Sequence, residues 1–236
     1  MTLIMGIKAY SSESNSREII LAGDSMVTYF EENEKIPVSK ITGFSKIAIG
    51  KSWAMGFAGT YTPPLRTFFR NLKSEDSSKN IVENAIREKY FKEVNDFNTR
   101  VAKKYGEDCS VHFLLASSKP NLGIYLVDRM GNILEEPVGE DFEEDYIFIG
   151  SGSEFAQKYF ERKLGNRYID RKEIGHSLAI NSAYESVNKN EDPFTSDPVE
   201  LIIVKENKVI NLGSKQTACQ KRDGKKSLDN LIEETV

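Results

Sequence analysis

The chain has 236 residues, of which 39% are hydrophobic and 29% charged, and a net charge of −4. That is enough apolar material for one substantial core, which argues against disorder, and the charge balance gives no electrostatic case for nucleic acid. The 2 cysteines (Cys109, Cys219) lack C-x-x-C spacing and the 2 histidines (His112, His176) lie far apart, so no disulfide framework, metal site or two-histidine relay is expected.

No apolar run reaches the roughly 18 residues that a membrane-spanning helix needs. The segment Met-Thr-Leu-Ile-Met-Gly-Ile-Lys has no basic region ahead of its apolar residues, so it does not read as a secretory signal. A cytoplasmic protein is expected, without cofactor or metal. The basic cluster Lys221-Arg222-Asp223-Gly224-Lys225-Lys226 contains an acid and lies in a polar stretch, where a solvated surface is expected.

Residues 3–9 read as a strand, Ser11–Ser16 as a turn cluster and 18–23 as the returning strand. Residues 26–38 are mixed and polar, with Pro37 disfavouring a helix. Residues 40–50 and 52–58 look like a second strand pair, so four strands are expected to build one sheet before any helix. Pro63-Pro64 suits a first helical turn, and 63–74 carries Leu65, Phe68, Phe69 and Leu72 on one side. Val82, Ile86, Tyr90, Val94, Phe97 and Val101 then recur at helical spacing up to Gly106.

Strands follow at 110–116, 122–128, 132–136 and 146–149. The last enters Gly150-Ser151-Gly152-Ser153 and a helix over 153–164. A further helix is expected from about Asp170 to 189, then strands at 199–205 and 208–212 around Glu206-Asn207-Lys208. Strands, two helices, strands, two helices and strands again do not alternate as a doubly wound sheet would. The order predicts an α+β fold of two antiparallel sheets face to face with a helix pair outside each, a four-layer αββα sandwich. One domain over 1–212 and a polar tail over 213–236 are expected.

Four residues along the first sixty could together make a nucleophile site. They are Thr2 behind Met1, Asp24 at the end of an apolar run, Lys40, and Gly59 at the end of another. Taken singly, Thr2 is an ordinary second residue, Asp24 a turn aspartate and Lys40 a surface lysine. Gly150-Ser151-Gly152 also resembles half of a dinucleotide fingerprint. It lacks the third glycine, with Phe155 in that place, and lies outside a βαβ unit.

In combination these residues resemble the proteasome β-subunit branch of the N-terminal-nucleophile (Ntn) hydrolases, over about residues 2–212. Thr2 matches that family's opening threonine, and Ala22-Gly23-Asp24-Ser25 matches its aspartate segment. Lys40-Ile41 matches its lysine, at the family's interval from the aspartate. Ala58-Gly59 and Gly150-Ser151-Gly152 match its two glycine turns, and Asp192 with Thr195 matches a late aspartate–serine pair. Ser196-Asp197 stands where the family has two glycines, and threonine replaces serine at 195.

The resemblance implies a threonine-type peptidase with catalytic Thr2, Asp24, Lys40, Gly59, Ser151, Asp192 and Thr195. Phe57 and Tyr61 would sit at the substrate pocket. It implies a peptide or amide substrate and a homo-oligomer of stacked rings, and it leaves open whether there is an ATPase partner. A catalytically silent subunit and a small-molecule amidase are the other readings of the same fold. Removal of Met1 by methionine aminopeptidase is expected, because threonine is small.

Overall fold

The computed structural model describes residues 3–11, 16–25, 27–29, 39–41, 45–59, 63–74, 82, 84, 86, 90, 111–127, 133–135, 146–164, 181–182 and 199–215. In chain order these form β1 (Ile4–Ser11), β2 (Ser16–Gly23), β3 (Val27–Tyr29), β4 (Ser39–Ile41), β5 (Ile47–Ile49), β6 (Trp53–Gly59) and α1 (Pro63–Ser74). There follow β7 (Val111–Ser117), β8 (Gly123–Val127), β9 (Ile133–Glu135), β10 (Tyr146–Ile149), α2 (Ser153–Leu164), β11 (Val199–Lys205) and β12 (Lys208–Lys215). Val82, Asn84, Ile86, Tyr90, Asn181 and Ser182 are also helical.

The strands make two five-stranded antiparallel sheets, ordered β10-β1-β2-β11-β12 and β5-β6-β7-β8-β9, and β3 pairs separately with β4. The four early strands therefore do not form one sheet, contrary to the sequence expectation. Each local pair is antiparallel as read, β1 with β2 and β5 with β6, but the pairs belong to different sheets. The physical reason lies in the side chains. Ile19 and Leu21 of β2 share one buried apolar layer with Ala54 and Ala58 of β6, so these strands stack by their faces.

Three apolar clusters follow from the two-residue periodicity of strands. Between the sheets lie Ile4, Ile19, Leu21, Ile202 and Val204 of the first, with Ile47, Ala54, Leu114, Ala116 and Ile124 of the second. The opposite side chains of the first sheet, Leu3, Met5, Ile20, Ala22 and Leu201, pack with Ala156 and Phe160 of α2. Those of the second, Trp53, Met55, Phe57, Phe113 and Leu115, pack with Leu65, Phe68, Phe69 and Leu72 of α1 and with Val82, Ile86 and Tyr90. An aromatic group of Phe57, Phe68, Phe69, Tyr90 and Phe113, with ring centroids 5.0–6.2 Å apart, fills that last layer. Each fully buried aliphatic or phenyl side chain in these layers contributes about 1.5–3 kcal/mol.

Both helices keep the limits read from the sequence. α1 starts at the proline pair, whose fixed φ suits a first turn. α2 opens behind Gly150-Ser151-Gly152 with an acidic residue in its first turn and basic residues in its last, as the helix dipole favours. β3 lies within the stretch read as mixed and polar, β4 and β5 lie in different sheets where one strand over 40–50 was expected, and β12 runs to Lys215 instead of stopping at 212. Of the helices expected after residue 79 and over 170–189, only the six helical residues named above are described. Residues 216–236 lie outside the described residues. No helix among those described is long and apolar enough to cross a membrane.

Candidate active site

One end of the first sheet gathers the residues of interest, and the register explains how. Ile4 is paired on one side with Gly23 and on the other with Ile149. Leu3, Asp24 and Gly150 therefore leave the sheet together at that edge, from β1, β2 and β10. Leu3 and Asp24 continue the pairing with two bonds. The Asp24 N–H donates to the Leu3 carbonyl at 3.0 Å, and the Leu3 N–H donates to Asp24 Oδ1 at 2.8 Å. The Asp24 carboxylate thus holds the amide of the residue directly after Thr2.

That carboxylate also holds a lysine. Lys46 Nζ donates to Asp24 Oδ1 at 2.9 Å, with the Lys46 side chain 2% exposed and that of Asp24 fully buried. Burying two charges costs several kcal/mol per ion unless they are paired and hydrogen-bonded, so this arrangement persists because the two satisfy each other. Lys46 immediately precedes β5 of the second sheet, and its carbonyl accepts the N–H of Phe57 at 3.3 Å. The pair thereby ties the two sheets across their interface. Lys46 was missed in the sequence, although Lys46-Ile47 repeats the lysine–aliphatic signature of Lys40-Ile41 and stands directly ahead of a buried strand. Lys40 lies in β4 opposite Thr28, and its side chain is outside the described residues.

Gly59 ends β6 two residues after Phe57. Its φ is 137°, a value that a side chain strongly disfavours, so glycine is required to turn the chain there. Phe57 itself is 1% exposed and meets Phe69 edge-on at 5.0 Å, so its ring belongs to the core beneath α1. A ring in that position supports the strand that carries Gly59 and is not open to a ligand.

Gly150 also has a positive φ, 101°, and its carbonyl accepts the Ser153 N–H at 3.1 Å, which turns the end of β10 into α2. Ser151 sits half-buried in that turn, at the edge shared with Leu3 and Asp24. Thr2, Tyr61, Asp192 and Thr195 lie outside the described residues. Among the described residues no cluster of histidine, cysteine, aspartate and glutamate could hold a metal ion.

No family model matches the chain, and no curated protein matches it. Among solved structures it is similar to the eukaryotic HslV from Trypanosoma brucei, with a TM-score of 0.52 and 18% sequence identity, over 86% of this chain and 99% of that one. The chain shares its fold with that HslV. At this identity the likeness carries the fold alone. The Asp24–Lys46 pair and its bond to Leu3 must carry any chemical argument.

Proposed function

We propose that this chain is an N-terminal threonine hydrolase that cleaves amide bonds, with peptides as its substrates. The observation that carries the reading is the buried Asp24–Lys46 pair bonded to the amide of Leu3, which brings an oriented ammonium and that amide to one carboxylate oxygen. In this reading Lys46, and not Lys40, is the site lysine. The fold belongs to the reading as a four-layer αββα sandwich, an arrangement that the three stacked apolar clusters support.

The chemistry needs Thr2 to carry a free α-amine. Such an amine has an ordinary pKa near about 8 and can take the proton of the threonine hydroxyl directly or through water. The hydroxyl oxygen then attacks the substrate carbonyl carbon. Lys46 adds positive charge that favours the developing alkoxide, and Asp24 fixes its direction. The Gly59 N–H would donate to the oxyanion, an interaction worth about 3–4 kcal/mol in comparable sites. Collapse of the tetrahedral intermediate breaks the C–N bond, and the α-ammonium returns its proton to the leaving amine. Water then cleaves the resulting ester. Ser151, Asp192 and Thr195 would hydrogen-bond around the terminal amine. We further propose assembly as a homo-oligomer of stacked rings in the cytoplasm, which the family resemblance supports.

Intact mass after cytoplasmic expression, followed by reaction with a β-lactone, tests the proposal. The expected result is loss of Met1 and a single acyl adduct, absent in Thr2→Ala and in Lys46→Met. Full retention of Met1 would overturn the mechanism. Acylation that survives in Lys46→Met but is lost in Lys40→Met would return the lysine role to Lys40.

A further inference from the structure

The lysine of the site has a second anchor. Ser45, the residue before Lys46, points its hydroxyl at Glu200 of β11, 3.1 Å from Oε1 and 2.9 Å from Oε2. Glu200 is 8% exposed and registered against Gly23, the residue before Asp24. Two consecutive residues ahead of β5 are thus tied to two adjacent places on the first sheet, Lys46 to Asp24 and Ser45 to Glu200. The Lys46 carbonyl, which accepts the Phe57 N–H, already holds the backbone of this segment to the second sheet. Two ties on neighbouring residues fix both its position and its direction.

We propose that Glu200 is a positioning residue, which acts through Ser45 to set the ammonium of Lys46 for the reaction. The inference rests on the hydrolase reading for its chemical consequence but not for its geometry. The hydrogen count sharpens it. The Ser45 hydroxyl has one proton, yet Glu200 Oε1, Glu200 Oε2 and the Ile47 carbonyl at 3.1 Å all converge on it as acceptors. Glutamine at 200 could donate its amide hydrogen to Ser45 Oγ and release the hydroxyl proton to Ile47, which keeps the connection without the charge. The clamp is therefore a hydrogen-bond device, and Glu200→Gln should preserve it where Glu200→Ala cannot.

Two readouts on the full chain test this. The first is the side-chain ammonium signal of Lys46 in 15N-lysine-labelled protein, assigned by its disappearance in Lys46→Arg. It should be sharp in the wild type and in Glu200→Gln, and broadened beyond detection in Glu200→Ala and Ser45→Ala. The second is the rate of β-lactone acylation at Thr2. It should fall about tenfold in each alanine variant, in keeping with the cost of misplacing a catalytic group, and no further than about tenfold in the double variant, because both remove one connection. An unchanged Lys46 signal in both alanine variants overturns the clamp whatever the chemistry. Equal losses in Glu200→Gln and Glu200→Ala overturn the hydrogen-bond argument. Absence of acylation in the wild type, with the Lys46 signal still lost in the variants, removes the hydrolase reading and leaves the clamp.

Discussion

Replacing Lys46 by methionine removes one charge of a buried pair. The lysine side chain is 2% exposed and the Asp24 side chain 0%. Breaking a buried pair from one side costs about 3–5 kcal/mol, because the remaining charge is left uncompensated. Asp24 keeps the Leu3 amide as a donor at 2.8 Å, which places the expectation at the lower end. About 3 kcal/mol in a chain of this size lowers the thermal midpoint by roughly 6–12 °C. Differential scanning calorimetry of wild type and Lys46→Met measures this directly. Adding Asp24→Asn to Lys46→Met should recover part of the loss, since the asparagine oxygen can still accept the Leu3 amide and no charge remains buried. A midpoint within about 2 °C of wild type for Lys46→Met would refute the claim that this pair is desolvated and coupled.

Three further outcomes are expected. Gly56→Ala places a Cβ 2.7 Å from Ile4 Cγ2 and 3.2 Å from its Cγ1, overpacking the layer between the sheets, and should cost about 1–3 kcal/mol in urea unfolding. Gly59→Ala forces a side chain onto a φ of 137° and should cost about 1–3 kcal/mol, with a drop in β-lactone acylation larger than the stability loss explains. On the exposed face of α2, the Lys158 ammonium hydrogen-bonds Glu154 and holds its carboxyl below the usual carboxylate range. A group whose folded pKa is lowered contributes stability above its unfolded pKa and loses it as pH falls through the folded value. Carboxyl-detected NMR should show the Glu154 midpoint move upward in Lys158→Ala, and the shift should shrink in high salt.

Much of this fold is legible in the sequence because its elements are strongly patterned. The continuous apolar run Ile19–Ala22 reads as a strand that delivers Asp24 at its end, and the structure buries both. The proline pair and the four apolar residues of α1 define its start and its buried face. What the sequence conceals is pairing across distance. Hairpin logic assigns β1, β2, β5 and β6 to one sheet, because nothing local distinguishes a strand that stacks from one that pairs. Two lysine–isoleucine steps, at 40 and 46, offer the same local signature, and matching the interval after Asp24 selects the first. Loop lengths are free to change at little entropic cost, so an interval is a weak guide where a connecting segment intervenes. The better signal is that Lys46 abuts a strand whose residues are buried on both sides. Phe57 shows a related error. An aromatic before a glycine turn suits a pocket, but the strict alternation of Trp53, Met55 and Phe57 assigns it to the helix-covered face.

The position of β1 bears on how the site comes into being. It is an inner strand, with β2 on one side and β10 on the other, and Ile4 is matched to both Gly23 and Ile149. Closing the β1–β2 hairpin is a local event, whereas bringing β10 alongside closes a loop through most of the second sheet. The Leu3–Asp24 contact can therefore form early and persist as half a site. The turn at Gly150 and Ser151, and Lys46 with its neighbour Ser45, are added only when the distant strands dock. The proposed chemistry at this edge is thus conditional on completed folding, and a partly folded chain would hold the aspartate without the lysine that pairs with it.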